Sequence, residues 1–311
     1  MKIVFFGTPQ IAADILKYLL SAEQNIAAVV TQPDRAKKRS ASLVFSPVKE
    51  AALEAGIEKI FQPEKASDEG FMDALESTGA DIFIVAAYGQ KLPARILDMA
   101  PYGCINVHPS LLPKSRGAAP AAGAILNGDS VSGVSIMKMA EKMDTGDILL
   151  QEEIAISPCE TTASLEKKSS DTAGPMLIKV ISGLKEGTMT GTAQDDSKSS
   201  YIRQFSKESG LIDFNSSAEY IERMSRAYDP WPSAYTYLDG KTFKIWRARL
   251  CEKDFEGRPG EVVSADKKII TVKCGTGALD LLEVQLEGKK RMSCEEFLRG
   301  RKIAPGTLLG L

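Results

Sequence analysis

An α/β protein is predicted, with a Rossmann-like, mainly parallel sheet domain followed by a small antiparallel β-barrel of the OB-like kind. Short apolar runs alternate with amphipathic stretches over about the first 140 residues, which is the pattern of βαβ units. A polar stretch, "GTMTGTAQDDSKSSYIRQFS", then interrupts the apolar periodicity. Beyond it, alternating segments broken by Gly and Asp-Gly turns read as an antiparallel sheet. A chain of 311 residues is longer than one core usually grows, so two domains are expected, at 1–188 and 207–311, joined by a linker at 189–206.

Each element follows from its own residues. "KIVFFG", "IAAVVTQ", "ADIFIVAAY" and "GCINVH" are continuous Val/Ile-rich runs, the mark of strands buried on both faces, and "IAADILKYLL" between the first two has helical spacing. "GVSIMKM" and "DILLQEEIAI" read as two further strands joined by the turn "AEKMDTG". "TTASLEKKSSDTAGPMLIKVISGLKEG" reads as a long helix behind a Thr cap, and a second helix is expected at 216–227, capped by Ser216 or Ser217. Ligands of open parallel sheets bind beyond the carboxyl ends of the strands, so "FGTP", "AYGQKLP" and "NVHPS" are expected to share one crevice.

Composition narrows the function classes. With 43% apolar and 26% charged residues the chain is an ordinary globular protein. A net charge of -2 gives no overall field for nucleic acid, although residues 206–311 carry 18 basic against 16 acidic side chains, while 1–205 carry 21 against 25. Five cysteines without a C-x-x-C spacing suggest neither a zinc site nor a disulfide framework, and no metal is expected. No segment has the length of a membrane span, so a cytoplasmic location without a membrane partner is expected.

The single Gly of "FFGTPQ" falls short of the G-x-G-x-x-G dinucleotide fingerprint. His108 is the only histidine in the chain. Asn106 stands two residues before it, so at a strand end both side chains point to one face. Pro109 holds His108 extended. Alone, His108 is better read as a structural imidazole and Asp144 as a turn residue of "DTGD".

Taken together, "KIVFFGTPQIA", "NVHPSLLPKSRGAAP" and "MDTGDILLQEE" resemble the folate-dependent formyltransferases. The resemblance covers essentially the whole chain, and it is nearest to the branch whose acceptor is methionyl initiator tRNA. It implies 10-formyltetrahydrofolate as formyl donor, methionyl initiator tRNA as partner, a role in translation initiation, and a monomer. It places the family's active-site Asn, His and Asp on Asn106, His108 and Asp144, with His108 as general base. Those residue types suit the reaction: imidazole exchanges protons near neutral pH, an amide N–H stabilises an oxyanion, and a carboxylate orients the imidazole or a relaying water.

The same resemblance implies that Ser110, Leu111, Leu112 and Pro113 wall the folate site, and that Tyr88, Gly89, Gln90 and Leu92 hold the pterin through backbone groups. It implies that the basic loop with Arg35, Lys37, Lys38 and Arg39 enters the acceptor end of the tRNA. Lys241, Lys244, Arg247, Arg249, Lys289, Lys290 and Arg291 are candidates to line the tRNA stem, and a solvated strand face is the alternative for each. The family usually has a small residue where Pro109 stands. Two rivals share parts of this pattern. A formyltransferase or formyltetrahydrofolate hydrolase with a small-molecule acceptor needs Asn106, His108 and Asp144 but not the basic loop, and a non-catalytic RNA-binding protein needs the reverse.

Overall fold

A computed structural model describes residues 1–36 and 43–310. The chain divides into two compact units, one of Met1–Pro120, Val131–Ala155 and Glu166–Ile202, the other of Ala121–Ser130, Ile156–Leu165 and Arg203–Leu311.

The first unit is built on seven strands: β1 (Lys2–Gly7), β2 (Asn25–Val30), β3 (Ile60–Phe61), β4 (Ile82–Ala86), β5 (Cys104–His108), β6 (Val131–Lys138) and β7 (Ile148–Ala155). Their order across the sheet is β7-β6-β5-β4-β1-β2-β3. The five strands from β3 to β5 run parallel, and β6 and β7 add antiparallel pairings at one side, so the predicted mainly parallel sheet is present. Helices α1 (Gln10–Ser21), α2 (Pro47–Glu54) and α3 (Glu69–Glu76) lie in the connections β1–β2, β2–β3 and β3–β4.

The apolar runs have the burial their composition predicts. Ile3 to Phe6 and Ile82 to Ala86 are all buried, as strands covered on both faces must be. Phe6 anchors the core against Phe83 and Tyr88, with ring centroids 5.6 and 5.5 Å away. Gly7 is required by close approach, because a Cβ there would stand 2.6 Å from the Cβ of Ala12. The chain order reverses at β1, which has β2 on one side and β4 on the other. Register aligns the ends of three strands at that switch point, since Gly7 faces Ala86 and Ala86 faces Val107.

The second unit carries strands β8 (Tyr235–Leu238), β9 (Lys241–Leu250), β10 (Val262–Ala265), β11 (Ile270–Lys273), β12 (Ala278–Leu286) and β13 (Met292–Ser293). They pair antiparallel in the order β8-β9-β12-β11-β10, with β13 also on β12. The predicted barrel is thus a sheet curled into a half-barrel: among the described residues its outer strands β8 and β10 do not pair with each other. Two register shifts between Ile245 and Ala248 supply the curl, because bulges bend and twist a strand. The helix Ala218–Ala227 is capped by Ser217, whose hydroxyl accepts from the Tyr220 amide, the second of the two caps the sequence offered. No described helix is long and apolar enough to cross a membrane.

Candidate active site

The site grows from the end of β5. Alternation along "CINVH" sends Asn106 and His108 to one face of the sheet, where Asn106 is half-buried and His108 only 4% exposed. The imidazole Nε2 lies 3.0 Å from the carbonyl oxygen of Ser115. A carbonyl only accepts, so Nε2 carries the proton and Nδ1 holds the lone pair. That lone pair faces the carboxylate of Asp144, with Oδ1 at 3.8 Å. The gap is too wide for a direct hydrogen bond and suits electrostatic stabilisation of the imidazolium or a shared water.

Asp144 stands in the turn between β6 and β7, in the left-handed region at φ 56°. Asp tolerates that conformation better than most residues. Its Oδ2 accepts from the Gly117 amide at 2.8 Å, which aims the other oxygen at the imidazole. Gly117 must be glycine: its φ is 106°, and a Cβ would stand 2.4 Å from the carbonyl oxygen of Ile202. That close approach is a short parallel pairing of Arg116–Gly117 with Tyr201–Ile202.

Arg116 and Gln194 tie these loops together and were not legible as site residues. Arg116, 1% exposed, donates to Gln194 Oε1 at 2.8 and 3.2 Å, to Asp196 at 2.7 Å and to the Tyr201 hydroxyl at 3.1 Å. Burial works against the guanidinium charge, and the bonds to Tyr201 and Asp196 outweigh it, so its pKa rises. Gln194 in turn donates to the carbonyls of Asp144 and Gly146 at 2.9 and 2.7 Å. The polar stretch expected to be part of a linker therefore packs against the loops of the site, at least as far as Ile202.

The "SLLP" run is fixed by a buried hydroxyl. Ser135 donates to the Ser110 carbonyl at 2.6 Å, and accepts from the Leu112 amide at 3.1 Å and the Gln151 amide group at 2.8 Å. Gln151 also donates to the Leu112 carbonyl at 2.9 Å. Ser110 and Leu112 face inward, while Leu111 and Pro113 are half-buried. The Leu112-Pro113 peptide is cis.

At the end of β4 the predicted pterin segment divides in the same way. Ala87 and Gly89 are exposed, with φ 46° and 90°. Tyr88 and Leu92 point into the core. Burial pushes the Tyr88 phenol up to about 12, and its hydroxyl has no hydrogen-bond partner among the described residues. The Tyr88 carbonyl accepts from the Thr8 hydroxyl at 2.9 Å and the Gln32 amide at 3.1 Å, which joins the ends of β1, β2 and β4. The Gln90 side chain bonds the Ala66 amide and the Pro63 and Glu64 carbonyls, so it braces a neighbouring loop.

A formyl transferase family model matches residues 1–181, and the model of the formyl transferase C-terminal domain matches 204–302. A methionyl-tRNA formyltransferase of Lachnospira eligens is 49% identical over 315 residues, covering all of both chains. The chain belongs to the methionyl-tRNA formyltransferase family. A further member from Caldanaerobacter subterraneus is 42% identical over 310 residues, 99% of this chain and 100% of its own. Among solved structures, the sugar 3N-formyl transferase WlaRD, crystallised in the presence of dTDP and 5-N-formyl-THF, shares the fold with a TM-score of 0.65 at 20% identity, covering 93% of this chain and 99% of that one. HypX of Aquifex aeolicus in complex with tetrahydrofolic acid superposes with a TM-score of 0.67 at 17% identity, over 99% of this chain and half of that one.

The residues suggested for tRNA fall in two places. The Arg35 backbone pairs with Val44, and Lys37, Lys38 and Arg39 lie outside the described residues. In the second unit, β9 sets Arg247 against Glu283 of β12 at 3.6 Å and Arg249 against Asp280 of β12 at 3.1 Å, and Arg291, in the turn after β12, pairs with Asp229 at 2.9 Å and Glu283 at 2.6 Å. Lys244 and Arg291 stack on Trp246, 5.0 and 4.8 Å from its ring centre. Lys241, Lys244, Lys289 and Lys290 make no ion pair among the described residues.

Proposed function

We propose that this protein moves the formyl group of 10-formyltetrahydrofolate to the α-amine of methionyl initiator tRNA, with chemistry in residues 1–188 and tRNA contacts concentrated in 207–311. The observation that carries this reading is the approach of Asp144 to His108 at the end of β5, with Asn106 on the same face two residues before, in a chain of this family. The donor is a substrate. The exposed backbone of Ala87 and Gly89 suits the hydrogen-bonding edge of a pterin, and Leu111 and Pro113 suit its flat apolar face.

The attacking amine bonds to the formyl carbon and gives a proton to Nδ1 of His108, while the formyl oxygen becomes an oxyanion. The Asn106 amide N–H donates to that oxygen. Asp144 stabilises the imidazolium while Ser115 holds the opposite ring nitrogen. Collapse breaks the bond to folate N10, which takes the proton from His108, so one N–H is lost and one gained. Burial of the imidazole keeps this transfer out of bulk water.

The test is formyl transfer by the purified chain, with 10-formyltetrahydrofolate and initiator tRNA either charged with methionine or uncharged. Formyl incorporation that depends on methionine is the expected result. Donor binding or hydrolysis without transfer to the charged tRNA would overturn the acceptor assignment.

A further inference from the structure

We infer that Gln194 is a positioning residue that holds the Asp144 carboxylate in its catalytic orientation; this rests on the role proposed above for Asp144. Asp144 occupies a left-handed conformation, which Asp tolerates but which does not by itself fix where its carboxylate points. The surroundings here are few and specific. Both N–H bonds of the Gln194 amide go to the turn, one to the Asp144 carbonyl at 2.9 Å and one to the Gly146 carbonyl at 2.7 Å. They pin the turn on both sides of Thr145.

The amide cannot rotate to do anything else. Its Oε1 accepts from Nε and Nη2 of Arg116, and Arg116 is buried and further held by Asp196 and the Tyr201 hydroxyl. The next residue, Gly117, gives its N–H to Asp144 Oδ2. Backbone and carboxylate of Asp144 are thus both referenced to one segment, Arg116–Gly117, one through Gln194 and one directly. Oδ1 is left pointing at the imidazole. Gln194 touches no reacting atom and acts only through Asp144. Glutamine is the side chain that fits, because it offers two donors to the turn and one acceptor to the arginine.

Gln194→Glu isolates the donors, since a carboxylate of the same shape keeps its pairing with Arg116 but presents acceptors to two carbonyls. In the full chain it is expected to lower kcat for formyl transfer on the order of 10- to 100-fold, with KM for donor and tRNA changed by less than about twofold. Gln194→Ala serves as the second variant, and thermal unfolding checks that both fold. The decisive comparison adds Gln194→Glu to Asp144→Asn: a positioning role predicts little further loss, whereas a general structural role predicts that the two losses multiply. If Asp144→Asn abolishes transfer while both folded Gln194 variants turn over normally, the positioning inference is wrong and the catalytic reading stands. If Asp144→Asn itself keeps full activity, the reading of Asp144 fails and the inference falls with it.

Discussion

The crevice beyond β5 and the outer face of the half-barrel treat polar side chains in opposite ways. Around Asp144 and His108 the loops are tied by fixed hydrogen bonds, and the arginine that anchors them is 1% exposed. On β9 and in the turn after β12, three exposed arginines pair with carboxylates that are themselves buried or half-buried, while Lys241, Lys244, Lys289 and Lys290 have no ion-pair partner among the described residues. Formyl transfer needs atoms held to fractions of an ångström, which fixed buried bonds supply. A polyanionic partner needs charge that can adjust to it, which exposed lysines on flexible stems supply.

The largest effect should come from the crevice. His108→Ala is expected to lower the single-turnover rate by about 10²- to 10⁴-fold with the fold intact by circular dichroism. A rate within a few-fold of the parent would remove the general base from the mechanism and erase the contrast between the two regions.

Ser135→Ala comes next. It leaves the buried Leu112 amide and the Gln151 side chain short of a partner, so a stability loss of about 1–3 kcal/mol is expected in urea unfolding. An unchanged midpoint would mean that the "SLLP" run is held by packing alone.

On the half-barrel the comparison sharpens between neighbours. Removing Lys289 and Lys290 together is expected to lower the slope of log K for tRNA against log salt by about 0.9 for each phosphate that is no longer neutralised. Arg291→Ala should change the slope less, because its charge is already shared with Asp229 and Glu283. Equal slopes for both variants would show that the carboxylates do not divide these cations into two kinds.

The smallest effect concerns the Tyr88 hydroxyl. Its folded pKa is raised by burial above the ordinary value of 10.0 to about 12, so the neutral form is the one the fold favours. The stabilisation is complete below pH 10 and is lost as pH rises from 10 towards 12. Tyr88→Phe removes that share of the alkaline destabilisation together with a hydroxyl that has no partner among the described residues, and it should raise stability near neutrality by about 1 kcal/mol. A melting temperature that falls at neutral pH would mean that the hydroxyl has a partner, such as a bound water.

Much of this was legible from the residues. Continuous Val/Ile runs announced the buried strands, the spacing of Asn106 and His108 put both on one face, and the turn "DTG" between two strand patterns left Asp144 at a sheet end. Arg116 and Gln194 were hidden because they are 78 residues apart and belong to segments with no apolar periodicity. The stretch from Gln194 to Ile202 is held by polar bonds, which leave no periodic trace. The half-barrel stayed open for a similar reason: local alternation announces strands, while closure depends on which edges meet. The grouping of Ala121–Ser130 with the later residues is likewise a matter of tertiary contact, which propensity does not encode.

The carbonyl of Tyr88 receives the hydroxyl of Thr8 from 80 residues upstream and the amide of Gln32 from 56. A chain emerging from the ribosome amino end first exposes both donors long before their acceptor exists. A chain stalled ahead of residue 88 therefore has no rim for a ligand. One stalled just beyond it still lacks β5 and the Ser110–Pro113 run, as well as Asn106, His108 and Asp144. The proposed site can therefore come together only after the turn that carries Asp144 has been made.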